Sequence, residues 1–191
     1  MELRKFDQVV SRSSCSLQPR STFPIVNQSL STLRSRGYLS TYNASSPSTS
    51  PPTYSLLTVI GTGNTPLSSV QALNPRDIFF DAPLGDIASS VYQPSLSPIA
   101  SGSFSKLIGA SWLPGGKGKS KINSLVQTAH AKGILTRFWS TPSIPTWARC
   151  VCPLTISACT QMNYRNQVWS ILLDAGTDFL NADDIASAAS F

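Results

Sequence analysis

Two stretches near the end of the chain decide its fold: GILTRFWSTPSIP at 133–145 and VWSILLDAGTDFLNADDIASAA at 168–189. In the first, an apolar β-rich run ends in Arg137-Phe138-Trp139. In the second, an amphipathic helix stops at a glycine, and another apolar run ends in Asn181-Ala182-Asp183-Asp184. This order of strand, loop, helix and strand gathers polar residues where each strand stops. In α/β folds, ligand sites are built at such strand ends.

The same alternation extends upstream to residue 53. Apolar runs predict five strands, within 53–63, at Asp77–Phe80, and within 105–112, 134–139 and 177–185. Helical spacing of apolar residues predicts helices within 24–37, 66–73, 120–133 and 165–176, with Ser120 as an N-cap and Gly37 and Gly133 as stops. Strands that alternate with helices indicate an α/β fold with a parallel sheet. The residues alone leave two alternatives open: a small open sheet, or the back part of an eight-stranded barrel.

The length and the hydrophobic content favour a single folded domain. With 191 residues, of which 41% are hydrophobic, the chain can bury a core. Residues 1–23 are polar and aperiodic and are predicted to be poorly ordered, which leaves 24–191 as the folded part. Within it, the Ser/Thr/Pro-rich segment 40–52 is predicted to be a flexible loop.

A second irregularity follows the fourth predicted strand. About 20 residues lie between Pro142 and the next predicted helix, which starts near Arg165, whereas βα loops usually contain 2–6. This loop holds three of the four cysteines and has no secondary-structure period. Removing residues 150–165 would restore a compact loop, so we interpret them as an insertion, either a translated intron or a lineage-specific segment.

Charge and motifs exclude several classes of function. The net charge is +6, but the basic residues are scattered among serines and threonines, so nucleic acid is not an expected partner. The cysteine spacing C-x-C-x6-C fits no common metal framework, and GGKGKS at 115–120 lacks the first glycine of a phosphate-binding loop. The lone histidine, His130, is predicted to end a helix in a structural role. No apolar run is long enough for a transmembrane segment, and the cellular compartment is undetermined.

The polar residues at the strand ends form the candidate site. They are Asp81, Arg137, Trp139, Asn181, Asp183 and Asp184. Arg137 can bind an anionic oxygen, Trp139 can provide an apolar wall, and the carboxylates can orient Arg137 or a substrate hydroxyl. An equally good interpretation is that Arg137 and one aspartate form a structural pair that closes the edge of the sheet.

Several segments together resemble a known family. In order they are LRSRGYLS, LTVIGTGNTPL, RDIFFDAPLGDI, ASGSF, AHAKG, RFWSTPSIP and LNADDIASAA. This set is similar to the C-terminal part of the fungal phospholipase-C-like phosphodiesterases, in the family named for altered inheritance of mitochondria. The resemblance runs from about residue 24 to the end of the chain, apart from the predicted insertion.

The resemblance implies the fold and the chemistry. The family is thought to share the (β/α)8 barrel of glycerophosphodiester phosphodiesterases, so the chain would be an incomplete TIM-type barrel of about five βα units. Relatives are expected to hydrolyse phosphodiester or phospholipid substrates with two histidines and a Glu/Asp set that binds Mg²⁺ or Ca²⁺, all carried on the first strands. By analogy, Arg137 and Trp139 match the family's Arg-aromatic-Trp strand end, and Asn181, Asp183 and Asp184 match its Asn-x-Asp-Asp.

The chain departs from this pattern in its catalytic residues. It has one histidine and no acidic cluster upstream of Asp77, so no catalytic residue, metal ligand or cofactor is assigned to it. We therefore expect a phosphodiesterase relative that is inactive alone because the catalytic N-terminal half is missing. The alternative is a non-catalytic half-barrel or interaction protein that self-associates through open sheet edges.

Overall fold

The computed structural model describes residues 19–43, 53–112, 117–141, 158–182 and 185–191. They form two compact units. The first holds the described residues up to Asp81 together with Val91–Pro98, and the second holds Ala82–Ser90 and the described residues from Ile99 to Phe191.

The first unit contains two helices, a parallel strand pair and a short helix between the strands. In chain order its elements are α1 (Pro19–Ser29), α2 (Ser31–Ser35), β1 (Val59–Gly61), α3 (Leu67–Gln71) and β2 (Ile78–Pro83), whose last two residues enter the second unit. β1 pairs with β2 in parallel, from Val59 opposite Ile78 to Gly61 opposite Phe80. The helix predicted within 24–37 is two helices that begin earlier, at Pro19. The stop at Gly37 is confirmed by a φ of 68°.

A buried arginine connects several segments of the first unit. Arg76 is 7% exposed, and its guanidinium donates to the carbonyl oxygens of Val70 at 3.1 Å, Ser95 at 2.7 Å and Gln71 at 3.3 Å. The guanidinium also lies 5.5 Å from the ring centroid of Tyr42. Burial lowers the pKa of Arg76, because desolvation disfavours the charged form. Next to it, the buried Asp77 accepts two hydrogen bonds from Arg34, on α2.

The second unit is a three-stranded parallel arrangement with helices. Its elements are β3 (Ile99–Ser103), α4 (Phe104–Leu107), α5 (Gly118–Ala131), β4 (Leu135–Trp139), α6 (Ala158–Asp174), β5 (Phe179–Leu180) and α7 (Ile185–Ala189). β4 pairs in parallel with β3 on one side and with β5 on the other. Gly133 ends α5 with a φ of 75°, as predicted, but the N-cap is Lys117 and not Ser120.

The third predicted strand was wrong. Residues 105–112 form the end of α4 and a 3-10 turn, and the strand is Ile99–Ser103 instead. The strand has the sequence Ile-Ala-Ser-Gly-Ser, whose small residues carry little β signal. Its small size has a packing reason, because a Cβ on Gly102 would collide with Leu107 and lie 3.1 Å from the Cβ of Leu84. The apolar residues of 105–112 therefore pack onto the strand and do not form it.

The segments predicted to be irregular are described only in part. Helix α6 begins at Ala158, so the loop predicted to reach 165 ends earlier. Residues 142–157 lie outside the described residues, and the insertion at 150–165 stays a prediction. Thr41 and Tyr42, near the start of the predicted loop 40–52, form isolated bridges with Thr53 and Arg76. The rest of this loop, from residue 44 on, lies outside the described residues. Nearly all of the segment 1–23, predicted to be poorly ordered, also lies outside them.

The α/β class and the parallel strands are confirmed. Within each unit the strands pair in parallel and in chain order, and the described strands number five. Consecutive parallel strands are generally connected through a helix. Here α5 lies between β3 and β4, and α6 lies between β4 and β5. Closure into an eight-stranded barrel stays an expectation from the resemblance.

Candidate functional site

The two faces of β4 differ sharply in exposure. Thr136 and Phe138 are fully buried, and the Phe138 ring packs edge-on against Phe104 of α4 at 6.3 Å. On the alternate positions, Leu135 is 38% exposed, Arg137 is half-buried and Trp139 is 43% exposed. Because side chains alternate along a strand, one face of β4 packs into the core of the unit and the other is accessible.

Arg137 lies on the accessible face and is held by a serine of the neighbouring strand. The register places Arg137 opposite Ser101, and its Nε donates to Ser101 Oγ at 3.0 Å. Ser101 is 8% exposed, so the guanidinium has a rigid, buried anchor. Arg137 therefore presents a fixed cation on this face, with the planar geometry that suits carboxylates and phosphates.

Three serine hydroxyls continue this polar site toward the ends of β3 and β4. Ser103 Oγ lies 3.0 Å from Ser105 Oγ, which lies 3.2 Å from Ser140 Oγ. We call these three side chains the hydroxyl chain. Ser103 is buried and also accepts from the Lys106 amide at 3.3 Å, whereas Ser105 and Ser140 are exposed. Ser140 has a φ of 55°, in the left-handed region that a serine rarely occupies.

The structure brings together three of the predicted site residues. Arg137, Trp139 and Asn181 all belong to the second unit, and Asn181 directly follows Leu180, whose register partner is Phe138. Trp139 and Asn181 therefore lie at the carboxyl end of the β4–β5 pair. Asp81 is half-buried near the end of β2, in the first unit, and is described there by itself. Asp183 and Asp184 lie outside the described residues.

Sequence reasoning missed the serines. Ser101 and Ser103 were overlooked because the third strand was placed after them, where they looked like loop residues. Two serines at alternate positions of a strand share one face, so a correctly placed β3 would have identified both as candidates.

The lone histidine belongs to a separate polar cluster. His130 Nε2 lies 2.8 Å from Asp178 Oδ2, which also accepts from the amide of Thr136 at 2.7 Å and from Thr136 Oγ1 at 2.9 Å. Thr136 is on the buried face of β4, opposite to the face of Arg137. This cluster joins the end of α5 to the start of β5, which agrees with the structural role predicted for His130.

A divalent metal has no fitting ligand set in the described part of the chain. No group of three or more His, Cys, Asp or Glu side chains lies close enough there to hold an ion. A metal therefore stays an expectation for longer relatives. None of the described helices has the length and hydropathy needed to cross a membrane.

The fold and the site define an α/β protein with parallel strands and a cationic, hydroxyl-rich site at the strand ends. Comparison with known proteins makes this class more specific. Residues 14–81 match the AIM6-like phosphodiesterase domain family, so the match covers described residues of the first unit and ends at Asp81. No solved structure matches the chain significantly.

One curated relative extends the similarity further along the chain. It is an altered inheritance of mitochondria protein 6 homolog from Arthroderma benhamiae, 32% identical over 145 residues. The match covers 71% of this chain and 39% of the relative, so the chain spans about two fifths of the relative's length. These matches confirm the resemblance predicted from the sequence: the chain is related to the fungal AIM6-like phosphodiesterase proteins.

Proposed function

We propose that the chain is a phosphodiesterase-family protein that binds phosphodiesters at the carboxyl ends of β3, β4 and β5 and does not hydrolyse them alone. The observation that carries this proposal is the contact between Arg137 and Ser101, which fixes a guanidinium on the accessible face of β4. Phosphoryl oxygens are good acceptors for such a group. Trp139, two residues further on, is 43% exposed and supplies an apolar surface for one ester arm.

The lack of hydrolysis follows from the residues that the chain offers. Phosphodiester hydrolysis needs a general base or a metal to activate a nucleophile, and a general acid for the leaving group. The one histidine of the sequence is hydrogen-bonded to Asp178, away from the Arg137 face. The carboxylates predicted near Arg137, at 183 and 184, would orient the ligand and would not replace two acid/base groups.

Binding and hydrolysis are tested separately. Binding of a soluble glycerophosphodiester and of a short-chain phospholipid is measured by calorimetry for the wild type and for Arg137→Gln. We expect one of the two ligands to bind and the substitution to weaken it at least tenfold, because a charge-assisted bidentate contact contributes about 1.5–3 kcal/mol. Binding that Arg137→Gln leaves unchanged refutes the site. Turnover with Mg²⁺ or Ca²⁺ above that of a heat-treated sample refutes the lack of hydrolysis.

A second candidate function is self-association with a second copy of the chain. It is favoured by the exposure of Leu135 and Trp139 on a strand that is paired on both sides. Within the described residues β5 pairs only with β4, and an unpaired strand edge is a template for another chain. Light scattering coupled to gel filtration tests this: a monomer at every accessible concentration excludes it, and a dimer that Trp139→Ser dissociates supports it.

A further inference from the structure

The hydroxyl chain has an unequal supply of donors and acceptors. Each serine hydroxyl has one hydrogen and two lone pairs. Of the three hydrogens of Ser103, Ser105 and Ser140, two are used between the serines, which leaves one for an outside partner. Of the six lone pairs, the same two bonds use two and the amide of Lys106 uses a third, which leaves three. Within the described part of the chain, this group therefore offers more acceptors than donors.

This imbalance selects the chemistry of a ligand. A phosphoryl oxygen only accepts hydrogen bonds, so it can use the one remaining hydrogen and none of the lone pairs. An alcohol hydroxyl can accept that hydrogen and also donate to a lone pair of a neighbouring serine. The hydroxyl chain thus suits an alcohol hydroxyl better than a second anionic group.

The position of the hydroxyl chain relates it to Arg137. Ser101 and Ser103 are two residues apart on β3 and lie on one face of the sheet. Their register partners on β4, Arg137 and Trp139, lie on the same face. Two residues of a strand rise by about 6.6 Å. A phosphodiester with a short hydroxylated arm spans that distance when its phosphoryl group lies at Arg137.

We propose that the hydroxyl chain binds a hydroxyl group on the alcohol arm of a phosphodiester whose phosphoryl group is bound by Arg137. This assignment rests on the proposed phosphodiester binding and adds the side chains that bind the alcohol arm and favour a hydroxylated one. The exposed position of Ser105 and Ser140 gives the arm access, and the buried Ser103 anchors the hydroxyl chain to the cap of α4.

The test uses two ligands that differ only in the hydroxyl groups. They are glyceryl methyl phosphate and methyl propyl phosphate, which carry the same charge and have arms of the same length. We expect the wild type to bind the glyceryl diester about fivefold more tightly, since one neutral hydrogen bond contributes about 1 kcal/mol. Affinities are measured by calorimetry on the whole chain.

Two variants locate this preference, and a third controls for folding. Ser140→Gly removes a hydroxyl and suits the left-handed backbone, so a folding defect cannot explain its effect. Ser140→Gly and Ser105→Ala should each reduce the ratio of the two affinities to about one, without changing the affinity for the propyl diester. Ser170→Ala, at an exposed position of α6, should change neither affinity.

The outcomes separate this inference from the function on which it rests. Equal binding of the two diesters by the wild type, or a preference that survives both Ser105→Ala and Ser140→Gly, overturns the assignment and leaves phosphodiester binding standing. No binding of either diester overturns both.

Discussion

Arg76 allows the sharpest test of how the first unit is held together. Its guanidinium donates to three backbone carbonyls, of which one is buried and two are partly buried. Hydrogen bonds from a charged donor contribute about 1.5–3 kcal/mol each, and the contact with Tyr42 adds about 0.5–1 kcal/mol. Burial of the charged guanidinium opposes these contributions, because its desolvation costs free energy and lowers the pKa of Arg76. This cost disappears when the charge is removed.

The expected net effect of Arg76→Met is therefore a loss of about 3 kcal/mol of unfolding free energy. Methionine keeps most of the apolar stem, so the loss reports mainly on the carbonyls that are left without a donor. Arg76→Lys should cost about 2 kcal/mol, because one ammonium cannot donate in three directions at the spacing of a guanidinium.

Urea unfolding followed by circular dichroism measures both variants. The matched control is Arg36→Met, at an exposed position after α2, which should stay within about 0.5 kcal/mol of the wild type. If Arg76→Met is as stable as Arg36→Met, the three carbonyl contacts do not stabilise the unit and the reasoning fails.

Three further predictions concern other contacts. Asp178→Ala should lower the unfolding free energy by about 2 kcal/mol because it removes all three hydrogen bonds of this carboxylate, whereas His130→Gln should cost less than about 1 kcal/mol; equal thermal unfolding of the two variants would contradict this. Gly102→Ala should cost about 1–3 kcal/mol in urea unfolding, since its Cβ would displace the Leu107 side chain and press on the Cβ of Leu84; a neutral result would mean that both neighbours adjust freely. Tyr54 is half-exposed, and its partial burial raises the pKa of its phenol, so folding favours the neutral form; stability is complete below the unfolded pKa of about 10 and falls as the pH rises above it. Tyr54→Phe should reduce this alkaline loss and leave neutral-pH stability unchanged, and identical unfolding curves of the two proteins at alkaline pH would refute it.

The sequence predicts the elements whose periodicity is set by burial on one side. β4 is confirmed within one residue because its apolar run is bounded by Gly133 and by the polar residues after Trp139. α5 is predicted from the spacing of Ile122, Val126 and Ala129, all of which are buried. In both elements the local pattern and the tertiary packing point the same way.

β3 shows where this reasoning fails. At Gly102 the strand has no side chain because Leu84 and Leu107 fill the space beside it. After Ile99 the strand has only small residues, which carry little β signal, and the larger neighbours in 105–112 carry the apolar signal instead. The same error concealed Ser101, so the sequence singled out Arg137 as a candidate but not the buried serine that holds it.

The two faces of β4 explain how one short strand serves both stability and binding. Thr136 donates two hydrogen bonds to the Asp178 carboxylate, and Phe138 packs against Phe104, so both of these positions contribute to folding. Arg137 and Trp139 alternate with them on the accessible face, where they are less buried than Thr136 and Phe138. Substitutions on that face should therefore cost the fold less than substitutions at Thr136 or Phe138, whose contacts hold in place the strand that carries Arg137.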